Sequence, residues 1–359
     1  MELKLVKTKA DKKSFINFIY EIYKDDAGYN DMNITFVRNF LYRQDGFAKR
    51  NEVIPVQVVD GTKIMAECIY VIDETEEIKL SFLEFRADAK QAIIKLRNYS
   101  YELMDKFSKC KTIIGVNGQI SYGLGILNHS YNTDFEFNSN YNRDYYTKVL
   151  DEVFEIRKRA FAYEYSTKHT LKMIEDEMGD CLNEEIEFRH FDMKHFKKDM
   201  MLMGELCHES LKSTPYYSKK TAYEMYELMK QVKFIMKPDD ILFAMKNGKE
   251  IGFIYSHPDY AELFDRPKLN YVKFYLRYLL KKPKVAIFNV IGVLPEYQKS
   301  GVAVSLIYKS VKDRGHRYEH GVSSFILEEN IPSTYLCKKI STGIHKEFYL
   351  YELTRGNDV

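Results

Sequence analysis

The stretch from Val285 to Tyr308 constrains the fold of this chain more than any other part of the sequence. It begins with mostly apolar, β-favouring residues over 285–293, which predicts a strand buried on both faces. Pro295 ends the strand, because proline has no N–H to donate to a sheet. After a short turn the apolar residues recur at helical spacing, at Val302, Leu306, Ile307 and Val311. The pattern predicts a strand, a tight turn and an amphipathic helix in succession.

Such a turn is a candidate anion site. Several backbone N–H groups and a helix N-terminus meet there, which suits a pyrophosphate. Gly301 allows close approach of the backbone, and Ala303 leaves the start of the helix unobstructed. Ordinary strand–turn–helix connections share this spacing, so the spacing alone leaves both interpretations open.

The segment Gln298-x-x-Gly301-x-Ala303, preceded by Val293-x-Pro295, resembles the acyl-CoA motif of the GNAT superfamily of N-acetyltransferases. The resemblance implies that this loop holds the pyrophosphate of acetyl-CoA or another acyl-CoA. It also implies that the strand backbone pairs with the pantetheine arm, and that an asparagine opening the next helix touches that arm. The positions implied to bind the cofactor are Ile291, Val293, Gln298, Lys299, Ser300, Gly301, Val302, Ala303 and Asn330. Asn330 also reads as a plain helix N-cap.

Catalytic groups are less clearly marked. Many members of the family carry a tyrosine seven residues after the asparagine, as the acid for the departing thiolate, but here that position is Cys337. Cys337 is expected to be a small buried side chain, and Tyr335 is a weaker substitute for the acid. A basic amine acceptor also needs a proton acceptor, for which Glu328 and Asp259 are the candidates. His257 and Asn289 are further polar residues expected at the same cleft.

The chain repeats one plan. Hairpin signals at Asp60-Gly61 and Asn247-Gly248 occupy the same relative position in two halves. The fold expected is α/β (α+β): two tandem GNAT-like domains, each with a mixed, mostly antiparallel sheet flanked by helices. Residues 1–170 form a degenerate domain, since Phe85 to Lys90 replaces the glycine loop. Residues 171–359 form the acyl-CoA-binding domain, and the polar segment 166–186 is expected to join the halves.

A narrower resemblance extends over nearly the whole chain. Several blocks are similar to those of an uncharacterised tandem group, the YghO-like proteins. These blocks are Gly115-x-Asn117, Gly123-x-Gly125, Tyr141-Asn142, Tyr145-Tyr146, Pro258-Asp259, the segment 293–301 and Ser324 to Asn330. The group implies no particular substrate.

Composition limits the remaining possibilities. A net charge of +2 over 359 residues gives no broad basic field, so nucleic acid is not an expected partner. No apolar run reaches the roughly 20 residues that span a bilayer, and the N-terminus does not have the pattern of a signal peptide. The five cysteines are scattered, which predicts neither disulfides nor a metal site. A cytoplasmic protein with no membrane partner is expected.

The sequence therefore predicts an acyl-CoA-dependent N-acyltransferase that transfers an acetyl group to a small amine by direct attack in a ternary complex. The active site would lie in the C-terminal half. Two alternatives stay open: a non-catalytic protein that binds acyl-CoA or a metabolite, and an aminoacyl transferase of the Fem type. The acceptor and the oligomeric state are not encoded in any recognisable pattern.

Overall fold

The computed structural model describes residues 1–26, 28–31, 33–128, 130, 136–137, 139–265, 268 and 270–355. The chain forms two compact units that do not follow sequence order. Unit 1 comprises Met1–Ala160, Phe264–Arg277 and Lys346–Val359, and unit 2 comprises Phe161–Leu263 and Tyr278–His345. The division of function between residues 1–170 and 171–359 stays a prediction.

Helices and strands alternate along the chain. The helices are α1 Lys9–Ile22, α2 Ile34–Leu41, α3 Gly46–Arg50, α4 Lys90–Phe107, α5 Tyr146–Asp151, α6 Thr167–Glu177, α7 Phe196–Leu211, α8 Ala222–Met229, α9 Tyr271–Leu280, α10 Val302–Arg314 and α11 Ile331–Ile340. The strands are β1 Glu2–Leu5, β2 Glu52–Asp60, β3 Lys63–Ile72, β4 Glu77–Phe85, β5 Lys111–Ile114, β6 Ile126–Leu127, β7 Glu155–Tyr165, β8 Glu187–His190, β9 Ile241–Lys246, β10 Lys249–Pro258, β11 Val285–Val293, β12 His320–Ser323, β13 Ile326–Leu327 and β14 Gly343–Thr354. None of the described helices is long and apolar enough to cross a membrane.

The sheet of unit 1 has the order β1-β2-β3-β4-β5-β14. Every neighbouring pair is antiparallel except β4 and β5, which are parallel. The predicted hairpin is present between β2 and β3, where Gly61 has a φ of +60°. Helix α4 buries Ala92, Ile93 and Leu96 against this sheet.

The sheet of unit 2 repeats this order with β8-β9-β10-β11-β12, followed by residues 161–165 of β7. Again one pair, β11 and β12, is parallel and the others are antiparallel. The second predicted hairpin joins β9 to β10 through Asn247 and Gly248, both with positive φ. The predicted fold class and the internal repeat are therefore confirmed.

Helices cover both faces of the unit 2 sheet because its strands are apolar on both sides. On one face α10 packs through Val302 and Leu306 against Ile254 and Val293. On the other face, apolar side chains of α7 and α8 cover β9 and β10, as in the buried cluster Met200, Met203, Met225, Phe243 and Phe253. This packing fixes the N-terminus of α10 beside the end of β11.

The segment between α10 and α11 forms two short strands, β12 and β13, because pairing with β11 ends at Ser323. The polar segment 166–186 contains helix α6, which packs inside unit 2. Thr170 and Ile174, one turn apart, are buried, and the Thr170 hydroxyl donates to the Ile340 carbonyl at 2.9 Å.

Candidate functional site

The parallel strands β11 and β12 separate halfway along β11. Their pairing covers only Val285 to Phe288 on β11. On the other side, Tyr255 of β10 faces Val290 and Ser256 faces Phe288, so Asn289 is the extra residue of a β-bulge. The hydroxyl of Ser324 donates to the Asn289 carbonyl at 2.7 Å, and this contact marks where the strands part. Beyond the bulge, β11 presents an edge without a strand partner from β12.

The backbone direction along this edge follows from one hydrogen bond. Leu294 donates its N–H to the Ile251 carbonyl at 3.0 Å, so the backbone of Leu294 faces β10. Since successive residues of a strand face opposite sides, the N–H groups of Val293 and Ile291 point to the edge that β12 leaves open. These are the two strand positions at which the sequence predicted contact with the cofactor.

Gln298 ties the turn to this edge. Its side-chain amide donates to the Val293 carbonyl at 3.2 Å. The contact holds the start of the loop against the end of β11, so the side chain has a positioning role within the protein.

The turn that follows collects backbone N–H groups at one point. Lys299 and Gly301 both lie in the left-handed region, with φ of +63° and +82°. Among the described residues, no acceptor is hydrogen-bonded to the backbone N–H groups of residues 299–304. Residues 302–304 form the first turn of α10, where the helix dipole favours negative charge. A left-handed backbone at a non-glycine residue is strained and is typical of functional loops. The loop fits a pyrophosphate.

The other side of the loop rests on the segment that follows α6. A Cβ atom on Gly301 would overlap the backbone carbonyl of Cys181. Asn183 donates its side-chain amide to the Ser300 carbonyl at 2.9 Å, and its N–H donates to the hydroxyl of Ser305, also at 2.9 Å. Sequence reasoning missed Cys181, Asn183 and Ser305, because nothing local in a polar segment marks its distant packing partner.

Asn330 is the N-cap of α11. Its side-chain oxygen accepts from the N–H of Ser333 at 3.3 Å. The N-cap interpretation is therefore confirmed, and a contact with pantetheine stays a prediction.

The three predicted catalytic side chains lie in different surroundings. Glu328 is partly exposed directly after β13, and Tyr335 is 64% exposed on α11. Asp259 is buried, and its carboxylate accepts from the N–H of Ala261 at 2.9 Å. The Asp259 N–H donates to the Val285 carbonyl, which lies at the opposite end of β11 from the open edge. Asn289 lies four residues along the strand from Val285, a distance of about 13 Å.

His257 lies beside the bulge as a buried, neutral imidazole. Its Nδ1 donates to the Pro258 carbonyl at 2.8 Å, and its Nε2 lies 3.5 Å from the side-chain amide nitrogen of Asn289. Burial lowers the pKa of His257 to about 4. With Nδ1 protonated, Nε2 accepts from the Asn289 amide, so this histidine orients the bulge residue and is a poor proton acceptor.

Cys337 is buried in a cluster with Ile174 and Ile340. Burial raises the pKa of its thiol to about 11. A buried thiol of this kind packs as a small apolar side chain, as expected.

Among the described residues, no group of three or more His, Cys, Asp or Glu side chains is placed to hold a metal ion.

Comparison with known proteins identifies the architecture. No protein-family model and no curated protein matches the chain. Among solved structures, a tandem GNAT protein from the clavulanic acid biosynthesis pathway aligns over 100% of both chains, with a TM-score of 0.54 and 8% identity. The chain has the tandem GNAT fold.

Two further GNAT structures align over 98% of this chain. A GCN5-related N-acetyltransferase from Sphaerobacter thermophilus is covered over 95% of its length, with a TM-score of 0.51 and 11% identity. One from Anabaena variabilis is covered over 72%, with a TM-score of 0.56 and 7% identity. These structural alignments support the GNAT fold, and sequence identities this low do not assign an activity. The similarity to the YghO-like group stays a prediction.

The corresponding turn of unit 1 differs from the loop of unit 2. Residues 86–90 contain no glycine and no residue with positive φ. Arg86 donates its N–H to the Met65 carbonyl and its Nε to the Ile64 carbonyl, which fastens the turn to β3. Of these two described turns, only the one in unit 2 has a glycine and left-handed residues, the backbone geometry of an anion cradle.

Proposed function

We propose that the protein is an acyl-CoA-dependent N-acyltransferase whose active site lies in unit 2. One observation carries the proposal: the unpartnered N–H groups of residues 299–304 lie at the end of the open edge of β11. The N–H groups suit a pyrophosphate, and the open strand edge suits the amide groups of pantetheine. The tandem GNAT fold supports the same assignment.

The residues divide the work as follows. Backbone N–H groups of Lys299 to Val304 bind the pyrophosphate, and the N–H of Ile291 or Val293 binds the acyl carbonyl oxygen. Bound acyl-CoA, with acetyl-CoA as the favoured form, supplies the acyl group as a thioester. One backbone donor aimed at a developing oxyanion is worth about 3–4 kcal/mol. Among the groups considered, a backbone N–H of the strand edge would therefore contribute most to stabilising the transition state.

Proton transfer falls to side chains near the open edge. An alkylamine with a pKa of about 10.4 is protonated at neutral pH, and removing that proton costs about 4–5 kcal/mol. We assign this step to Glu328, which follows β13 directly, in preference to Asp259, whose carboxylate caps a turn at the far end of β11. Tyr335 is assigned as the acid that protonates the leaving thiolate. The acceptor is a small-molecule amine.

A binding function without catalysis is the second candidate. The buried Cys337 occupies the helix position at which a catalytic tyrosine is common in this fold, and the exposed Tyr335 is the only replacement proposed. This observation favours a protein that binds acyl-CoA without turning it over.

Calorimetric titration with acetyl-CoA tests the proposal. The variant Lys299→Glu places a negative charge at the exposed loop and leaves the backbone intact, so we expect its affinity to fall at least tenfold. Lys198→Glu, at an exposed position of α7, is the matched control and should bind like the unmodified protein. Absence of binding to acetyl-CoA and to a long-chain acyl-CoA would refute the assignment and redirect attention to tRNA-linked donors. Binding without acyl transfer to a panel of amines would favour the second candidate.

A further inference from the structure

Unit 1 contains a cleft at the point where β4 parts from β5. The parallel pairing of these strands covers Glu77 to Leu80 and stops there. Phe82, with a φ of +51°, turns the strand, and its N–H donates to the side-chain oxygen of Asn117 at 2.8 Å. Asn117 therefore occupies part of the strand edge that stays open in unit 2. The residues that line the cleft include Tyr29, Phe82, Glu84, Asn117 and Tyr141.

Glu84 presents one carboxyl oxygen that has no hydrogen-bond partner among the described residues. Its Oε2 accepts from the hydroxyls of Tyr23 at 2.9 Å and Tyr146 at 2.5 Å, and these two bonds fix the carboxyl group. No described residue donates to Oε1, and this oxygen is not among the fully buried unsatisfied atoms. Since Glu84 lines the cleft, Oε1 is an oriented acceptor for a ligand.

The lining of the cleft has a clear charge preference. Among the described residues that line it, there is no lysine, arginine or histidine, and Glu84 is the only carboxylic acid. Arg143 nearby is paired with Asp26 at 2.8 Å. The wall also carries aromatic rings, since Tyr29 stacks on Tyr23 with ring centroids 4.1 Å apart and Tyr141 tilts toward both. An acid beside aromatic faces favours an organic cation.

We propose that unit 1 binds a small ligand with a primary ammonium group, which donates to Glu84 Oε1 while its alkyl part packs against the aromatic wall. Unit 1 is then a second ligand-binding unit with its own specificity. The site requires no acyl-CoA, because residues 86–90 provide no anion cradle. The proposal is independent of the function assigned to unit 2.

The titration of Glu84 provides a signature for such binding. Burial raises the pKa of Glu84 to about 8, although the hydrogen bonds from Tyr146 and Tyr23 oppose the shift. The carboxyl group is therefore mostly protonated at pH 7 in the empty cleft. An ammonium group beside it favours the carboxylate, so binding releases a proton. The titratable groups that interact with Glu84, all with pKa values raised by burial, are Tyr23, Tyr29, Tyr145, Tyr146 and Glu67.

Calorimetry with n-butylamine, and with 1-butanol and butyrate as its neutral and anionic counterparts, tests the proposal. We expect n-butylamine, and neither of its two counterparts, to show binding that depends on Glu84. Titration at pH 7 in phosphate and in MOPS should show that binding releases protons, because burial raises the pKa of Glu84 to about 8 and keeps it mostly protonated in the empty cleft. Glu84→Gln should weaken binding at least tenfold and abolish the proton release. Glu67→Gln removes a buried acid that does not line the cleft, so it should retain both.

Three results would overturn the proposal: no binding of n-butylamine, equal binding by the Glu84→Gln variant, or tighter binding of butanol or butyrate. If Glu84→Gln lowers the melting temperature strongly, Tyr146→Phe provides a second test. It removes one bond that stabilises the carboxylate and should weaken amine binding several-fold. Titration of Glu84→Gln with acetyl-CoA separates the two sites, because affinity for acetyl-CoA should be unchanged.

Discussion

The backbone carbonyl of Cys181 occupies the space that a Cβ atom on Gly301 would need. The loop suited to a pyrophosphate is thus shaped from two sides: its open side presents backbone N–H groups, and its closed side rests on the segment after α6. Gly301 has a φ of +82°, so the position demands glycine for backbone conformation as well as for space. The glycine of the motif is structurally required even without any ligand.

Gly301→Ala should therefore destabilise the protein as well as weaken acyl-CoA binding. The methyl group forces the loop away from Cys181, and alanine is strained at this φ, so we expect a loss of about 1–3 kcal/mol in the free energy of unfolding. Urea denaturation measures it. Gly179→Ala is the control, since a Cβ there meets no atom within 4 Å and the change should cost little. Equal stability of the two variants would contradict the packing argument.

Ser305→Ala should destabilise the same loop by removing a contact between α10 and the segment that follows α6. The buried hydroxyl of Ser305 accepts from the N–H of Asn183, and its removal leaves that donor unsatisfied at a cost of about 1–3 kcal/mol. Ser300→Ala removes an exposed hydroxyl that donates to the Tyr297 carbonyl and should change stability by less than about 0.5 kcal/mol. Thermal melts of both variants, followed by acetyl-CoA titration, should rank Ser305 as the more important residue for stability and affinity.

Glu328→Gln tests the proposed proton acceptor. We expect kcat/KM for amine acylation to fall about 100-fold, the typical contribution of a positioned general base, with an unchanged Kd for acetyl-CoA. Asp259→Asn provides the comparison: it alters a turn cap and should act mainly on stability. If Asp259→Asn lowers turnover and Glu328→Gln does not, the assignment of the two carboxylates is reversed.

His257 should make the protein sensitive to acid. Its pKa is about 4 in the folded protein and 6.5 when unperturbed, so the unfolded chain binds more protons between these values. Stability then falls as the pH drops from about 6.5 to 4, by roughly 3 kcal/mol at most. His257→Gln should flatten this part of the profile. Chemical denaturation at a series of pH values measures the difference.

Glu84 should affect the pH dependence of stability in the opposite direction to His257. Its pKa is raised from 4.5 to about 8 by burial, so the folded protein holds this proton where the unfolded chain loses it. The contribution of Glu84 to stability is therefore present below pH 4.5 and is lost as the pH rises toward 8. Glu84→Gln should remove part of that decline. A profile unchanged by the substitution would mean that other groups, such as the buried Glu67, account for it.

Local patterns in the sequence predicted the elements that carry the candidate site. The apolar run, proline and helical spacing over 285–308 correctly placed β11, the turn and α10, because each depends on interactions between near neighbours. The two hairpin signals were confirmed for the same reason. The tandem GNAT fold was also foreseen, through the repeat of one plan in two halves.

Long-range packing decided the rest. Most of the final strand β14, from Lys346 onward, belongs to unit 1. The Cys181 carbonyl packs against Gly301, and Glu84 lines a cleft that no motif marks. The residues next to these positions in the sequence do not indicate which distant residues will pack against them. The environment that sets a pKa likewise forms only when distant segments come together and exclude water. The sequence by itself determined the elements, their order and the cradle for an anion. Only the tertiary structure decided which side chains are buried and which residues line the cleft of unit 1, because those properties depend on contacts between residues far apart in the chain.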